Sequence, residues 1–215
     1  MIDNLQETTK KIKQSLRLAM NGIVSTHQRQ SGLNYKINFG VEIPRLKEIA
    51  KEYPKDRELA LELWNCSVRE CKLLAIFLLP EENYGEIATE WVAQAQNTEI
   101  ADHLSLNILC KIAQATAHAT EWTGRPERMF NYCGCLTIMH CLRRGASLPA
   151  EQEEAVYKNI ATLFEKESDT ITLQRAIATI YSMIDADSGS AARALRQIPE
   201  NTPLATHIKE YIAQI

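Results

Sequence analysis

Apolar residues recur along this chain with a period of 3.6. Ile12, Leu16, Ala19, Met20 and Ile23 fall at i, i+4, i+7, i+8 and i+11, and Leu204, Ile208, Tyr211, Ile212 and Ile215 repeat that spacing. Leu173, Ala176, Ile177, Ile180, Tyr181 and Ile184 form a broader stripe. Each pattern places its apolar side chains on one face of an amphipathic helix. Few segments alternate with a period of two between turn residues, so strand content is expected to be near zero. Pro44, Pro126, Pro149 and Pro203 each precede a periodic stretch, as proline in a first helical turn does, and Thr202 is a plausible N-cap. With the remaining turn signals, the pattern predicts helices near 3–21, 44–53, 56–64, 67–79, 84–95, 98–119, 126–143, 150–166, 170–184, 189–197 and 203–214. Residues 24–38, with Ser25, Gln28, Gln30, Ser31, Gly32, Asn34 and Asn38, are the longest polar interruption and read as a surface loop.

Helix pairs recurring at roughly 35 to 45 residues match the period of HEAT-type arrays. A globular helical bundle could show the same spacing. The stacking argument favours the array, because two-helix units with one wide apolar face bury it only against neighbours. The expected fold is therefore all-α, with HEAT-like helical hairpins stacked into a curved α-solenoid. No low-complexity linker divides the chain, so residues 1–215 read as a single domain.

Charge adds a direction. Residues 1–57 carry eleven basic and six acidic side chains, whereas the remainder carries thirteen and twenty-one. Such asymmetry either makes one end locally positive or reflects solvated helix faces. No apolar run approaches the ~20 residues of a membrane span, and the N-terminus lacks the apolar core of a signal peptide, so a cytoplasmic protein is expected. The six cysteines lie mostly in apolar helical stretches and read as reduced core residues. Cys133, Cys135, His140 and Cys141 invite a metal reading, but no CxxC pair exists and packing is the simpler role. Neither a Gly-rich phosphate loop, a serine nucleophile elbow nor an HExxH motif occurs.

The stretch Phe39-Gly40-Val41-Glu42-Ile43-Pro44-Arg45-Leu46-Lys47-Glu48-Ile49-Ala50-Lys51, followed by Leu59 to Trp64 and Arg69 to Ala75, resembles the opening of the AlkD-like DNA alkylation repair family. Gly40 can supply a backbone angle closed to other residues, Pro44 starts a helix, and Leu46, Ile49 and Ala50 form its buried face. The resemblance implies HEAT-like repeats and DNA as ligand. It also implies excision of alkylated bases, with an Asp, tryptophans and an Arg against the damaged nucleotide. A carboxylate there would stabilise positive charge developing on the sugar.

Asp102, in Thr98-Glu99-Ile100-Ala101-Asp102-His103-Leu104, matches the family's catalytic carboxylate, but Thr98 stands where an aromatic is expected. Tyr132 is the aromatic left in Phe130-Asn131-Tyr132-Cys133-Gly134, with Cys133 at the Arg position. Thr179 replaces the Trp in the segment beginning Thr172-Leu173-Gln174-Arg175. One of four expected groups survives, which weighs against excision because stacking contacts offset the cost of extruding a base. Asp102 can also be read as a first-turn residue favoured by the helix dipole. Lys36, Arg45, Lys47, Arg143, Arg144 and Arg175 are the candidate phosphate contacts, although helix solvation, and dipole compensation by Arg143 and Arg144, would explain them equally. No cofactor is implied. Duplex DNA is the expected partner, a scaffold for another protein is the alternative, and no membrane is involved.

Overall fold

The computed structural model describes residues 4–33, 35–166 and 169–215; Asn34, in the expected polar loop, lies outside them. The regular secondary structure of the described residues is helical, and their β pairing is confined to one isolated parallel bridge between Ile37 and Val68. The chain forms two compact units, residues 1–89 and 90–215.

In the first unit the helices are α1 (Leu5–Leu18), α2 (Gly22–Gln30), α3 (Ile43–Lys51), α4 (Arg57–Trp64) and α5 (Arg69–Leu78), and α6 (Tyr84–Gln94) runs across the boundary. Asn4 caps α1 by accepting from the Glu7 N–H, and Ile12 and Leu16 are buried as the stripe predicts. The stripe then misleads. The chain leaves the helix after Leu18, and the Asn21 side chain accepts from the Ile23 and Val24 N–H groups to start α2. The expected helix over 3–21 is α1, which ends at Leu18; α2 follows across a corner, and residues 24–30 of the expected loop over 24–38 belong to it. Met20 and Ile23, apolar positions of the same stripe, are 62% and 85% exposed.

The corner is held by the segment that follows. The Asn21 N–H donates to the Phe39 carbonyl, and the Ser25 hydroxyl donates to the Asn38 carbonyl at 2.8 Å. Gly40 has φ +74°, and a Cβ there would lie 2.2 Å from the Asn21 carbonyl oxygen, so the special role expected of this glycine is what the backbone requires. The same segment is pinned from α5. The Glu70 carboxylate accepts from the Phe39 and Val41 N–H groups, each at 3.2 Å. Arg69 donates to the Val41 carbonyl at 2.9 Å and to Glu70 at 3.0 Å. Both side chains are at most 1% exposed. Their burial is tolerable because each charge meets an opposite charge and backbone dipoles.

In the second unit α7 (Thr98–Asn107), α8 (Ala115–Thr123), α9 (Arg128–Arg143), α10 (Ala150–Glu165), α11 (Thr170–Ala186), α12 (Ser190–Gln197) and α13 (Pro203–Ile212) follow in order. The expected helix over 98–119 is broken. Ile108, at φ −122° and ψ −65°, leaves the helix, a 3-10 turn covers Leu109–Lys111, and Gln114 at φ +54° precedes α8. Ile100, Leu104, Ile108 and Ile112 continue the helical spacing across this break, which hides it in the sequence.

Helix α9 is the hub, packed against α7, α8 and α11, and is buried on nearly every face. Gly134 lets α8 approach it closely: a Cβ there would lie 2.8 Å from both the Ala119 carbonyl oxygen and the Thr123 nitrogen. The Asn131 amide donates to the carbonyls of Trp122, Thr123 and Arg125, closing the end of α8. Thr202 caps α13 through the Ala205 N–H, with Pro203 in the first turn, as expected. Cys71, Cys110, Cys133, Cys135 and Cys141 are buried, in line with a packing role, whereas Cys66 is only half-buried.

Candidate functional site

Three side chains from three helices of the second unit meet. Asp102 lies on α7, Tyr132 on α9 and Arg175 on α11. The Tyr132 hydroxyl donates to Asp102 Oδ1 at 2.8 Å and accepts from Arg175 Nε–H at 3.2 Å. The Arg175 guanidinium carbon is 5.9 Å from the Tyr132 ring centroid. Burial pushes the phenol up to about 12; the Arg175 contact opposes this, and the Asp102 carboxylate adds to it. At neutral pH the phenol therefore keeps its proton and points it at Asp102.

Asp102 is not in the first turn of its helix, which begins at Thr98. The dipole reading is corrected: the tyrosine hydroxyl, 30 residues away in sequence, is the carboxylate's partner. Tyr132 is 0% exposed, so its ring packs in the core and offers no face to a nucleotide. Thr179 is equally buried and spends its hydroxyl on the Cys135 and Arg175 carbonyls. Trp91 and Trp122 are core residues. Cys133, at the expected Arg position, is fully buried, and burial pushes its thiol up to about 12.

Two further groups border the trio. Arg128, at the start of α9, makes a two-point pair with Asp169, Nε to Oδ2 at 2.7 Å and Nη2 to Oδ1 at 3.0 Å. Asp169 also caps α11 through the Thr172 N–H, and the Arg128 guanidinium holds its carboxyl at about 2. His140, half-buried on α9, is pushed below its ordinary value by burial and then by Arg143, while Asp102 pulls the other way. Sequence reading missed the Arg128–Asp169 pair, because 41 residues separate the partners and only the cap of α11 leaves a local signature.

The candidate phosphate contacts divide between the units. Lys36, Arg45 and Lys47 are exposed in the first; Arg45 pairs with Glu48 at 2.8 Å, and the Lys47 ammonium lies 5.9 Å from the Phe77 ring centroid. Arg143 and Arg144 are exposed at the C-terminal end of α9, while Arg175 is half-buried. Among the described residues no group of three or more His, Cys, Asp and Glu is placed to hold a metal ion. No helix there is long and apolar enough to cross a membrane.

An all-α chain of successive helices falls in the class of HEAT-like repeat proteins. A solved structure of this class, from a family described as related to the HEAT-like repeat DNA glycosylases with affinity for branched DNA structures, superposes with a TM-score of 0.70. It is 13% identical, with 95% of this chain and 94% of that chain covered. No curated protein matches the chain in sequence. Residues 12–180 match the family described as DNA alkylation repair enzyme, and the chain belongs to that family.

Proposed function

We propose that this chain is a divergent DNA alkylation repair family protein that binds DNA in the cytoplasm through phosphate contacts and does not excise bases. Residues 1–215 act as one AlkD-like domain in this reading. The observation that carries it is the state of Asp102. Its carboxylate is already bonded by a buried tyrosine, with a cation directly behind, so the negative potential that would stabilise a sugar cation is partly cancelled. The described aromatic beside it is turned into the core, and the two threonines at the family's tryptophan positions supply no stacking wall. The exposed cations Lys36, Arg45, Lys47, Arg143 and Arg144, with Arg175, are the phosphate contacts, which set position rather than sequence preference.

One observation favours a second reading, excision by a rearranged set around Asp102: that set requires Asp102 and Tyr132 to be neighbours, and they share a hydrogen bond. Both readings are tested by fluorescence anisotropy on duplex DNA and on a three-way junction across a salt series, with release of 7-methylguanine and 3-methyladenine followed on the same samples. The junction is included because the structural relative's family is described as binding branched DNA. The expected result is salt-dependent binding without release, with Arg143→Ala and Arg144→Ala each lowering the salt slope by about 1. Release abolished by Asp102→Asn would establish the second reading. Absence of binding at low salt would leave a protein-interaction scaffold.

A further inference from the structure

The corner between α1 and α2 holds apolar side chains in water. Leu18, the last residue of α1, is 83% exposed, and Met20 and Ile23 follow it on the connecting turn and in the first turn of α2. Ile37, Leu106, Ile171 and Ile215, also exposed, are each alone in their own stretch of chain. A single exposed apolar residue is ordinary, whereas a group of them marks a contact surface. The backbone that carries the group is fixed. Asn21 caps α2, its N–H donates to the Phe39 carbonyl, and the Ser25 hydroxyl donates to the Asn38 carbonyl, so a partner meets a preformed edge.

Charge surrounds the same corner. Between Glu7 and Glu42 the chain has no acidic residue and carries Lys10, Lys11, Lys13, Arg17, Arg29 and Lys36. Lys11 pairs with Glu7 at 2.8 Å. Lys10, Lys13 and Arg17 follow at i, i+3 and i+7 along α1 and line a concavity of about 410 Å³ together with Glu62 of α4. A cationic track thus runs along α1 and ends beside Leu18. The partner that fits is a polyanion that also offers apolar faces, and nucleic acid has both, in its phosphates and in its bases.

We propose that the α1–α2 corner is a wedge for branched DNA, with Leu18, Met20 and Ile23 covering the base faces left open at a branch point and Lys10, Lys13 and Arg17 holding the adjoining phosphates. The inference rests on the DNA-binding reading and adds the kind of DNA to it. In an intact duplex each base face is covered by its neighbour, and an aliphatic side chain enters only by parting two stacked pairs. At a branch the stack is already interrupted, so the same contact comes without that cost. A lipid surface fits less well. An interfacial helix presents an apolar face along its length, whereas α1 buries Ile12 and Leu16 and shows apolar side chains only at its end. A second copy of the chain fits less well too, because a two-fold contact at this corner would bring its own cations together.

The test compares the full chain with Leu18→Ser/Met20→Ser/Ile23→Ser by anisotropy on a three-way junction and on a duplex of the same sequence, with 2-aminopurine placed at the branch. The three side chains are exposed, so the variant should unfold at the wild-type temperature. Wild type is expected to prefer the junction and to brighten 2-aminopurine as the base next to the branch loses its stacking partner. The triple variant should lose about 10-fold in junction affinity and the brightening, while its duplex affinity changes by no more than about 2-fold. Arg17→Ala should weaken both complexes and lower the salt slope by about 1. Equal wild-type affinity for junction and duplex, or a triple variant that keeps the preference, overturns the wedge and leaves DNA binding standing. Absence of wild-type binding to either DNA removes the DNA-binding reading and the wedge with it. Wild-type binding to phosphatidylserine vesicles, or a dimer in light scattering, either one abolished by the triple variant, would assign the corner to a membrane or to a second copy and overturn the proposal.

Discussion

Replacing Glu70 by Ala exposes how much the first unit depends on one carboxylate. The substitution removes the acceptor for the Phe39 and Val41 N–H groups and takes the carboxylate partner from a guanidinium that is 1% exposed. Breaking a buried ion pair from one side costs about 3–5 kcal/mol. Each buried N–H left without an acceptor adds about 1–3 kcal/mol. These costs do not sum, because once the 38–41 segment lifts away water satisfies all of them. The expected result is a local loss of about 3–5 kcal/mol, which converts to hydrogen exchange at the Phe39 and Val41 amides faster by roughly 10² to 10⁴.

The double variant Arg69→Met/Glu70→Leu sharpens the argument. A plain buried pair is often replaced by apolar residues at little cost. Here the two N–H groups and the Val41 carbonyl would still lose their partners, so the double variant should remain destabilised by about 2–4 kcal/mol. Amide exchange read by NMR or peptide mass spectrometry, alongside urea unfolding, distinguishes the cases. Wild-type protection at Phe39 and Val41 in either variant would refute the claim that Glu70 clamps this segment.

Gly40→Ala should destabilise the first unit by about 2–4 kcal/mol in thermal or urea unfolding, because the new Cβ meets backbone 2.2 Å away at a positive φ. Asp169 ties stability to acid pH. Its carboxyl is depressed from 3.8 to about 2, chiefly by Arg128, so the stabilisation is present above the unfolded value and lost as pH falls through about 2. Asp169→Asn should therefore flatten the unfolding midpoint against pH between those values; an unchanged acid limb would contradict the assignment. Tyr132→Phe should cost about 1 kcal/mol, measured by urea unfolding, since the half-exposed Asp102 and Arg175 can recruit water.

The helical character of the chain was legible because most helices bury one stripe, and the stripes at Leu173–Ile184 and Leu204–Ile212 lie where the pattern puts them. Two boundaries were not. At Met20 and Ile23, and again from Ile100 to Ile112, apolar residues keep the helical spacing across a break that is set by Asn21, Ile108 and Gln114. Periodicity reports which residues are apolar, whereas the break depends on backbone angles and on a segment, Asn38–Gly40, that docks from elsewhere in the chain. The candidate site was half legible. Asp102, Tyr132 and Arg175 each stood out as a residue, yet the hydrogen bonds joining them span 30 and 43 positions. For Arg175 the sequence shows the charge, on which its place among the phosphate contacts rests, and hides the tyrosine partner.

The tight seam between α8 and α9 at Gly134 gives the second unit a tuning screw. Tyr132 is two residues from that glycine on the same rigid helix, and its hydroxyl sits between two partners with little tolerance for longer hydrogen bonds. A larger side chain at position 134 would wedge the helices apart and carry the hydroxyl with α9, lengthening one bond at the expense of the other. Drift in the hidden face of α8 can therefore reset the poise of the Asp102 carboxylate without altering a residue that touches it.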